Sequence, residues 1–364
     1  MTPATADRLT PAFRRLERFI EEGAIDGAAL AIAEGQELIA EWYGGQASPD
    51  RAAQADTLWP LACISKLYTA TTVMTLVERG ELTLSLPVHA LLPDFTESGR
   101  ESVRLRHLLT HTSGLIRSTP ARSERLLRRQ APLWEHLEEA YTHPLLFQPG
   151  TAFNYTDHGY AVAGQVAEAA GGRPLAELVW TLVLKPRGLD DTFLPPPLGE
   201  YSRVAYVKGV LAEGTDGAMY NSAYARQLAH PGLGAVATVR DLLRFGLFFA
   251  PGSPDRVLSA ASIRGMTTDQ TGGDAVGHVL PLYPAQRQPW GLGFSIRGAL
   301  GNGFEDIASP QTFDHVGATG SILLVDPVAN LTIAFVSNRF IDSDREHFVL
   351  RLSTVVGTVL AALT

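Results

Sequence analysis

Apolar and polar residues recur with different periods along the chain, and the period predicts the element that each segment forms. From about Leu9 to Glu22, apolar residues recur at helical spacing among charged residues, which predicts an amphipathic surface helix. Gly27 to Ala33 and Glu37 to Tyr43 are short apolar runs joined by a Glu-Gly-Gln turn, which predicts a β-hairpin.

The middle of the chain carries helical patterns, and its last quarter carries strand patterns. Two irregular stretches, Glu200 to His230 and Thr267 to Gln288, predict loops over a binding cleft. Strands near both ends, with helices between them, predict one sheet assembled from both ends of the chain. One helix is predicted after Pro60, two cover Arg122 to Tyr141 and Leu175 to Leu184, and two more begin near Ala161 and Thr238. The predicted strands are Trp290 to Ile296, Gln311 to His315, Gly320 to Asp326 and Leu331 to Asn338. A closing helix is predicted from Asp344 to Leu363.

Composition limits the class of protein. The 364 residues are 45% hydrophobic and the net charge is −8, so the chain can bury a large core, and a nucleic-acid partner, which usually requires a basic surface, is not expected. Lysine is scarce: Lys66, Lys185 and Lys208 are the only three, against 27 arginines. Lys66 is therefore notable, because an arginine could not accept a proton in its place.

The residue pattern indicates no targeting or membrane-spanning segment. The N-terminal residues lack a basic segment followed by an apolar stretch, and no later run approaches the roughly 18 to 20 apolar residues that a membrane span needs. We therefore expect no membrane partner and a cytoplasmic location. The single cysteine, Cys63, cannot form an internal disulfide.

The segment from Trp59 to Ala70 contains the main candidate chemistry. Pro60 suits the opening of a helix, which would place Cys63 in the first turn and Lys66 on the same face three residues later. A helix N-terminus and a nearby cation both favour the thiolate form of a cysteine. Cys63 is thus a candidate nucleophile with Lys66 as its activator. The alternative is that Cys63 is a small buried hydrophobic residue and Lys66 a solvated helix residue.

Two further clusters have both a functional and a structural interpretation. His107 and His111 have a spacing that suits metal ligands, but no H-E-x-x-H pattern or nearby carboxylate supports a metal site. Between Arg122 and Tyr141, four arginines precede three glutamates. Such a run is most often a solvated face, and docking of an acidic partner such as an acyl carrier protein is the functional alternative. We expect no metal and no cofactor.

Three separate motifs resemble those of the serine beta-lactamase and penicillin-binding-protein superfamily, especially its class C-like esterase branch. Cys63-Ile64-Ser65-Lys66 is similar to the nucleophile motif S-x-x-K, with cysteine at the serine position. Tyr155-Thr156-Asp157 is similar to Y-x-N, and His315-Val316-Gly317 is similar to an H-x-G variant of K-T-G. The motifs occur in the expected order, and the resemblance extends from about residue 10 to the C-terminus.

The resemblance implies an α/β (α+β) protein with the beta-lactamase-like fold, in which helices flank an antiparallel sheet beside a mostly helical subdomain. It implies a single domain over residues 1–364, with a sheet subdomain from about 1–62 and 288–364 and a helical subdomain with cleft loops from about 63–287. The segment from His107 to Leu115 is similar to a structural turn of the family, and we assign that role to both of its histidines.

The resemblance also implies how protons are handled. Tyr155 would lie beside the nucleophile and take part in proton transfer, with Lys66 as the cation that makes its phenol useful as a base. Without the family order, a core tyrosine beside a turn is the simpler interpretation. Asp157 replaces the usual asparagine; if it faces Lys66, it would hold the lysine protonated and preserve it as an electrostatic anchor. Because a cysteine needs less help from a base than a serine does, the two departures are hypothesised to compensate each other.

Four further residues complete the implied site. His315 and Gly317 would border the substrate, the glycine permitting close approach of the backbone. The backbone N–H groups of Cys63 and Ala318 would form an oxyanion hole. Ser65 faces away from the nucleophile on a helix and would orient the lysine or the tyrosine.

These roles predict an acyl-transfer enzyme, either an acyltransferase or an ester, amide or thioester hydrolase, that works through an acyl group on Cys63. Its partners would be a small-molecule acyl substrate and an amine, hydroxyl or water acceptor. Thioesters react with amines more readily, relative to water, than oxygen esters do, so a biosynthetic acyltransferase fits, and hydrolysis of beta-lactams is less expected. Two alternatives stay open: a non-catalytic binding protein, and an engineered Ser-to-Cys variant of a serine esterase.

Overall fold

An antiparallel sheet of seven strands forms the centre of the computed structural model, which describes residues 3–212, 215–216, 221–254, 258–272, 276–277, 286–299, 306–341 and 345–364. The sheet joins strands from both ends of the chain, as predicted. Its strands follow the order Ser295–Ile296 (β11), Phe313–Gly317 (β12), Ser321–Asp326 (β13), Leu331–Ser337 (β14), Gly27–Glu34 (β1), Glu37–Ser48 (β2) and Arg51–Ala52 (β3).

Helices cover the faces of the sheet and fill the middle of the chain. The described helices are α1 (Pro3–Glu21), α2 (Ser65–Glu78), α3 (Leu105–Leu109), α4 (Pro120–Arg128), α5 (Leu133–Thr142), α6 (Asp157–Gly171), α7 (Leu175–Val179), α8 (Ala223–Gln227), α9 (Val239–Leu247), α10 (Ala260–Thr267) and α11 (Arg345–Leu363). Short paired strands lie outside the sheet: Trp59–Pro60 (β4), Thr192–Phe193 (β5), Val210–Ala212 (β6), Thr215–Asp216 (β7), Val236–Ala237 (β8), Val276–Gly277 (β9) and Gln286–Arg287 (β10).

The alternation of side chains along β1 explains why both faces of the sheet are covered. Leu30 and Ile32 belong to the core formed with α1 and α11, whereas Ala29 and Ala31 belong to the core that contains α2 and α9. The second face is approached closely, because an added Cβ at Gly246 of α9 would lie 2.7 Å from a leucine of β13. A glycine therefore lets α9 pack closely on this face of the sheet.

The prediction of one continuous helix from Arg122 to Tyr141 is wrong. Two helices, α4 and α5, occupy this range. Gln130 has a φ of 53°, and Pro132 is extended at the N-cap of α5, so a helical backbone cannot continue through this point.

Two arginines of α4 and the arginine that follows it pair with glutamates nearby. Arg122 contacts Glu138 and Glu139 of α5 at 3.1 and 3.0 Å. The other pairs are Arg128 with Glu124 and Arg129 with Glu135. These ion pairs agree with the interpretation of the charge run as a solvated face, and docking of an acyl carrier protein there stays a prediction.

The remaining predicted elements are largely confirmed, with two qualifications. The strand expected from Trp290 to Ile296 is reduced to its last two residues, since Gly293 adopts a φ of 127°. The two predicted cleft loops are described only in part, because residues 213–214, 217–220, 273–275 and 278–285, like Asp344 at the start of the closing helix, lie outside the described residues. In the described part of the chain, no helix is both long enough and apolar enough to cross a membrane.

Candidate active site

Cys63 lies in a 3-10 turn, Ala62–Ile64, that leads directly into α2; we refer to it as the Cys63 turn. Ala62 has a φ of 45°, a left-handed conformation that residues other than glycine rarely adopt and that is often found at functional turns. Pro60 pairs with Val236 in a short strand, so the prediction that it opens the helix is wrong. Cys63 nevertheless lies within one turn of the N-terminus of α2.

The side chain of Cys63 is partly exposed and lies against aromatic residues. It packs on a cluster formed by Phe153, Tyr155 and Trp290. The hydroxyl of Tyr155 also interacts with the cysteine sulfur. The structure therefore brings together the first residues of two of the motifs found in the sequence.

Lys66 is fully buried and forms an ion pair with Asp157. Its Nζ donates to Oδ1 of Asp157 at 2.5 Å and to the carbonyl oxygen of Gly232 at 3.2 Å. Burial by itself would raise the pKa of Asp157, but the charges of Lys66 and Arg117 outweigh it and hold that pKa well below its usual range. Asp157 thus faces the lysine, as the compensation hypothesis requires.

Tyr155 keeps its proton in this environment. Burial raises the pKa of Tyr155 well above its usual value of about 10, and negative charge on Cys63 and Asp157 raises it further. The ammonium of Lys66 lies 4.9 Å from the centre of the tyrosine ring, and it is ion-paired with Asp157. The expected activation of the phenol as a resting base by the lysine does not fit this arrangement, which favours a tyrosine that donates a proton.

A side-chain hydrogen bond and a close backbone approach hold the end of β12 against the Cys63 turn. The hydroxyl of Thr319 donates to the carbonyl oxygen of Pro60 at 2.6 Å. An added Cβ at Gly317 would lie 2.3 Å from the carbonyl oxygen of Leu61, so only glycine permits this approach, as its position in the motif predicted. Ala318, between these two anchors, is thereby held beside the turn.

His315 is buried next to Tyr155, with the two ring centres 6.2 Å apart. Its Nδ1 lies 3.1 Å from the carbonyl oxygen of Val316 and donates to it, which leaves Nε2 as an acceptor. Within the described residues, this buried Nε2 has no hydrogen-bond partner. Burial, together with the positive charge of Lys66, lowers the pKa of His315 to about 3, so the ring is neutral at physiological pH.

Ser65 is hydrogen-bonded to a loop that lies beside Lys66. Its hydroxyl accepts a hydrogen bond from the backbone N–H of Ala235 at 2.9 Å. The same loop carries Gly232, whose carbonyl oxygen accepts from Lys66. Ser65 and Lys66 thus contact the same loop, and the role of Ser65 in orienting the lysine or the tyrosine stays a prediction.

The two histidines of the predicted turn make structural hydrogen bonds. Nδ1 of His107 accepts from the backbone N–H of Arg104, and Nδ1 of His111 accepts from that of Thr156, both at 3.2 Å. The second bond fixes the backbone beside Tyr155, whose ring centre lies 4.3 Å from that of His111. Among the described residues, no group of three or more histidine, cysteine or acidic side chains could hold a metal ion.

Sequence reasoning did not identify His230 and Arg117 as site residues. His230 is buried, and its Nδ1 accepts from the N–H of Gly232 at 3.0 Å, which shapes the loop over Lys66. Arg117 is exposed, with its guanidinium carbon 5.8 Å from the centre of the Tyr155 ring. The only available signals were a histidine before a glycine-rich turn and an arginine just after the His107–Leu115 segment.

We predict that acid destabilises the protein steeply. Burial lowers the pKa of His230 and of His315 to about 3, and it lowers the pKa of His111 well below 6.5. The unfolded chain would bind these protons near pH 6.5, so the free energy of unfolding should fall as the pH decreases from there toward 3. Each histidine contributes about 1.4 kcal/mol per pH unit in this window. Urea unfolding followed at several pH values between about 7 and 5 measures the slope.

The matched variants are His315→Gln, which removes one buried histidine, and His143→Gln, which removes an exposed one. The slope of the free energy of unfolding against pH should decrease by about 1.4 kcal/mol per pH unit in the first variant, which corresponds to one proton, and should stay unchanged in the second. Equal slopes in all three proteins would contradict the assignment of His315 as a buried neutral side chain.

Comparison with known sequences gives one family and several relatives. A family model described as Beta-lactamase matches residues 13–355. Esterase EstB of Burkholderia gladioli is 34% identical over 191 residues, which are 48% of this chain and 48% of that esterase. The match therefore spans about half the length of EstB. A putative D-alanyl-D-alanine carboxypeptidase of Escherichia coli (strain K12) is 25% identical over 375 residues, covering 92% of this chain and 82% of the relative.

Solved structures share the fold over almost the whole chain. EstCE1, described as a hydrolase with promiscuous acyltransferase activity, superposes with a TM-score of 0.77 at 23% identity and covers 97% of this chain and 98% of its own. A penicillin-binding protein homolog from Caulobacter crescentus superposes with a TM-score of 0.76 at 23% identity, with 98% of each chain covered. The expected beta-lactamase-like fold, with its antiparallel sheet and flanking helices, is confirmed.

Proposed function

Because the chain belongs to the beta-lactamase family, we propose that it is an acyl-transfer enzyme in which Cys63 carries the acyl group as a thioester. The observation that carries the proposal is the contact of a partly exposed Cys63 thiol with the Tyr155 hydroxyl, beside the ion pair of the buried Lys66 with the partly exposed Asp157. The relatives include proteins named as an esterase and as a hydrolase with acyltransferase activity, which supports acyl chemistry in general.

The charges around Cys63 suit a cysteine better than a serine. A serine hydroxyl must lose its proton to a base during attack, whereas a thiolate needs no base at that moment. Tyr155 holds its proton, and Lys66 is tied to Asp157, so neither side chain is available as a resting base. Cysteine in place of serine and aspartate in place of asparagine are therefore proposed to belong together.

The proposed reaction has two steps. The Cys63 thiolate attacks the acyl carbonyl carbon, and the backbone N–H groups of Cys63 and Ala318 bind the oxyanion that forms. Collapse breaks the bond to the leaving group, which takes the proton of the Tyr155 hydroxyl. In the second step, an amine, hydroxyl or water gives its proton to the tyrosine phenolate and attacks the thioester, which releases the acyl product and the thiolate. The neutral Nε2 of His315 is proposed to accept a hydrogen bond from the leaving group or the acceptor.

Intact-protein mass spectrometry tests the intermediate directly. The purified chain is mixed with activated acyl thioesters and esters, and the reaction is stopped at short times. We expect a mass increase of one acyl group on the peptide that contains Cys63, the only cysteine. Neutral hydroxylamine should remove it, because hydroxylamine cleaves thioesters and leaves amides at the three lysines intact.

The result of this acylation experiment distinguishes between the candidate functions. An acyl group on Cys63 that decays faster when amines are added supports transfer over hydrolysis. An unacylated Cys63 in a folded protein, with a thiol no more reactive toward iodoacetamide than a free thiol, would contradict the proposal and favour a non-catalytic binding protein.

A further inference from the structure

Arg117 places an unbalanced positive charge beside the site. The side chain is exposed, and its guanidinium lies over the ring of Tyr155 at 5.8 Å. Among the described residues, no carboxylate lies within ion-pair distance of it, whereas Lys66 is paired with Asp157. Its charge still acts on the site, since it lowers the pKa of Asp157 and opposes the rise in the pKa of Tyr155.

The backbone that carries Arg117 is fixed to the site. Side chains at alternate positions of the segment 154–158, which also bears Tyr155 and Asp157, donate to the carbonyl oxygens just before the arginine. The hydrogen bonds run from Asn154 to Leu115 at 2.7 Å and from Thr156 and His158 to Ile116 at 2.6 and 2.9 Å. The arginine is therefore held in a defined place relative to the reacting groups, as a binding residue must be.

The sign of the charge in the site is opposite to that of the chain as a whole. The protein has a net charge of −8, but the described side chains around Cys63 balance to one positive charge before any thiolate is counted. His111, His230 and His315 are neutral, so they do not change this sum. Once the thiolate has become an uncharged thioester, the charge of Arg117 is left without a compensating anion in the described site.

We propose that Arg117 binds a carboxylate of the substrate next to the scissile bond, so that the enzyme selects anionic acyl compounds. A guanidinium binds a carboxylate through two parallel N–H donors, which gives both affinity and orientation. This inference rests on the proposed function, because it takes Cys63 as the residue that reacts. It adds a substrate class to that function.

Alkylation of Cys63 tests the inference without requiring turnover. Iodoacetate and iodoacetamide have similar size and react at the same single cysteine, but only iodoacetate carries a carboxylate. We measure the ratio of the two alkylation rates in the folded chain and divide it by the ratio in the unfolded chain. The normalised ratio should favour iodoacetate by about tenfold in the native protein, and this preference should fall with added salt.

Variants identify the arginine as the source of the preference. Arg117→Met should abolish it, and Arg117→Lys, which keeps the charge but loses the two parallel donors, should keep part of it. Arg14→Met removes an equal charge from α1, which packs on the opposite face of the sheet, and should keep all of it. An equal ratio in the native protein and in Arg117→Met would overturn the inference.

Steady-state kinetics then show which part of the substrate carries the anion. One matched pair compares a nitrophenyl hemisuccinate with its methyl ester, in which the acyl part differs in charge. The other compares acetyl thioesters of mercaptopropionate and of its amide, in which the leaving group differs. We expect one pair to show a preference of about tenfold in kcat/KM for the anion, lost in Arg117→Met.

The two proposals fail in different ways. Acylation of Cys63 without a preference in either pair would overturn the role of Arg117 and leave the acyl-transfer function intact. A retained preference for iodoacetate without any acylation would support Arg117 as an anion-binding residue and contradict the acyl-transfer function.

Discussion

Cys63→Ala is expected to lower kcat/KM for an activated acyl thioester by on the order of 10⁴-fold, because it removes the atom that would carry the acyl group. The acyl adduct on the protein should disappear as well. The variant should fold normally, since the cysteine is partly exposed and loses little buried area. Thermal unfolding of both proteins is the control. Activity within about tenfold of the native protein would assign the chemistry to another residue.

Replacement of the same residue by serine tests whether the site is adapted to cysteine. Cys63→Ser should lower kcat/KM by on the order of 10³-fold, because Tyr155 keeps its proton and Lys66 is held by Asp157. Adding Asp157→Asn to this variant should restore part of the activity, about tenfold or more, since the lysine is then free to act on the tyrosine.

The same Asp157→Asn change in the cysteine enzyme is the matched control for the compensation hypothesis. It should not raise kcat/KM. A double-mutant cycle of the four proteins measures the coupling between the two positions. A Cys63→Ser variant as active as the native protein, or more so, would contradict the hypothesis and favour a serine enzyme in which the serine had been replaced.

Gly317→Ala is expected to lower kcat by about 10²- to 10³-fold, which is the usual effect of losing one donor of an oxyanion hole. The added Cβ would lie 2.3 Å from the carbonyl oxygen of Leu61, and a backbone atom cannot rotate away. The end of β12 must therefore move from the Cys63 turn and take the N–H of Ala318 with it. Binding of a peptide aldehyde, which forms a tetrahedral adduct, should weaken by a similar factor, while KM changes little.

Gly199→Ala is the matched control, because an added Cβ at that position meets no atom within 4 Å. Its kcat and its aldehyde affinity should equal those of the native protein. Thermal unfolding separates a local shift in Gly317→Ala from loss of the fold. A folded Gly317→Ala variant with native kcat would show that Ala318 does not contribute to the oxyanion hole.

Elements with a local cause could be predicted from the sequence. The period of apolar residues placed α1 and the closing helix α11, in which the buried residues recur at helical spacing. Short apolar runs placed the hairpin of β1 and β2 and the strands β13 and β14, because both faces of the sheet are covered along β1, β13 and β14. Helical spacing placed Lys66 beside Cys63, and the resemblance of three motifs to those of a known family implied that Tyr155 and His315 belong to the same site.

Elements that depend on distant partners were predicted less well. Pro60 is in a strand only because β8 lies beside it, and the break between α4 and α5 depends on a left-handed Gln130. The partner of Ser65 is an N–H group of a loop that is remote in the chain. Periodicity and spacing report which residues share a face, but not which segments meet in space.

The sequence by itself thus determined the family resemblance, the fold that it implies, and four of the residues that gather around Cys63, namely Lys66, Tyr155, Asp157 and His315. Only the tertiary structure decided their charge states and their partners. Asp157 is ion-paired with Lys66, Tyr155 keeps its proton, and His315 is neutral. Each of these states depends on burial and on charges that folding brings close together. Arg117 could be recognised only once the segment that carries it was seen to be hydrogen-bonded to the segment that carries the tyrosine.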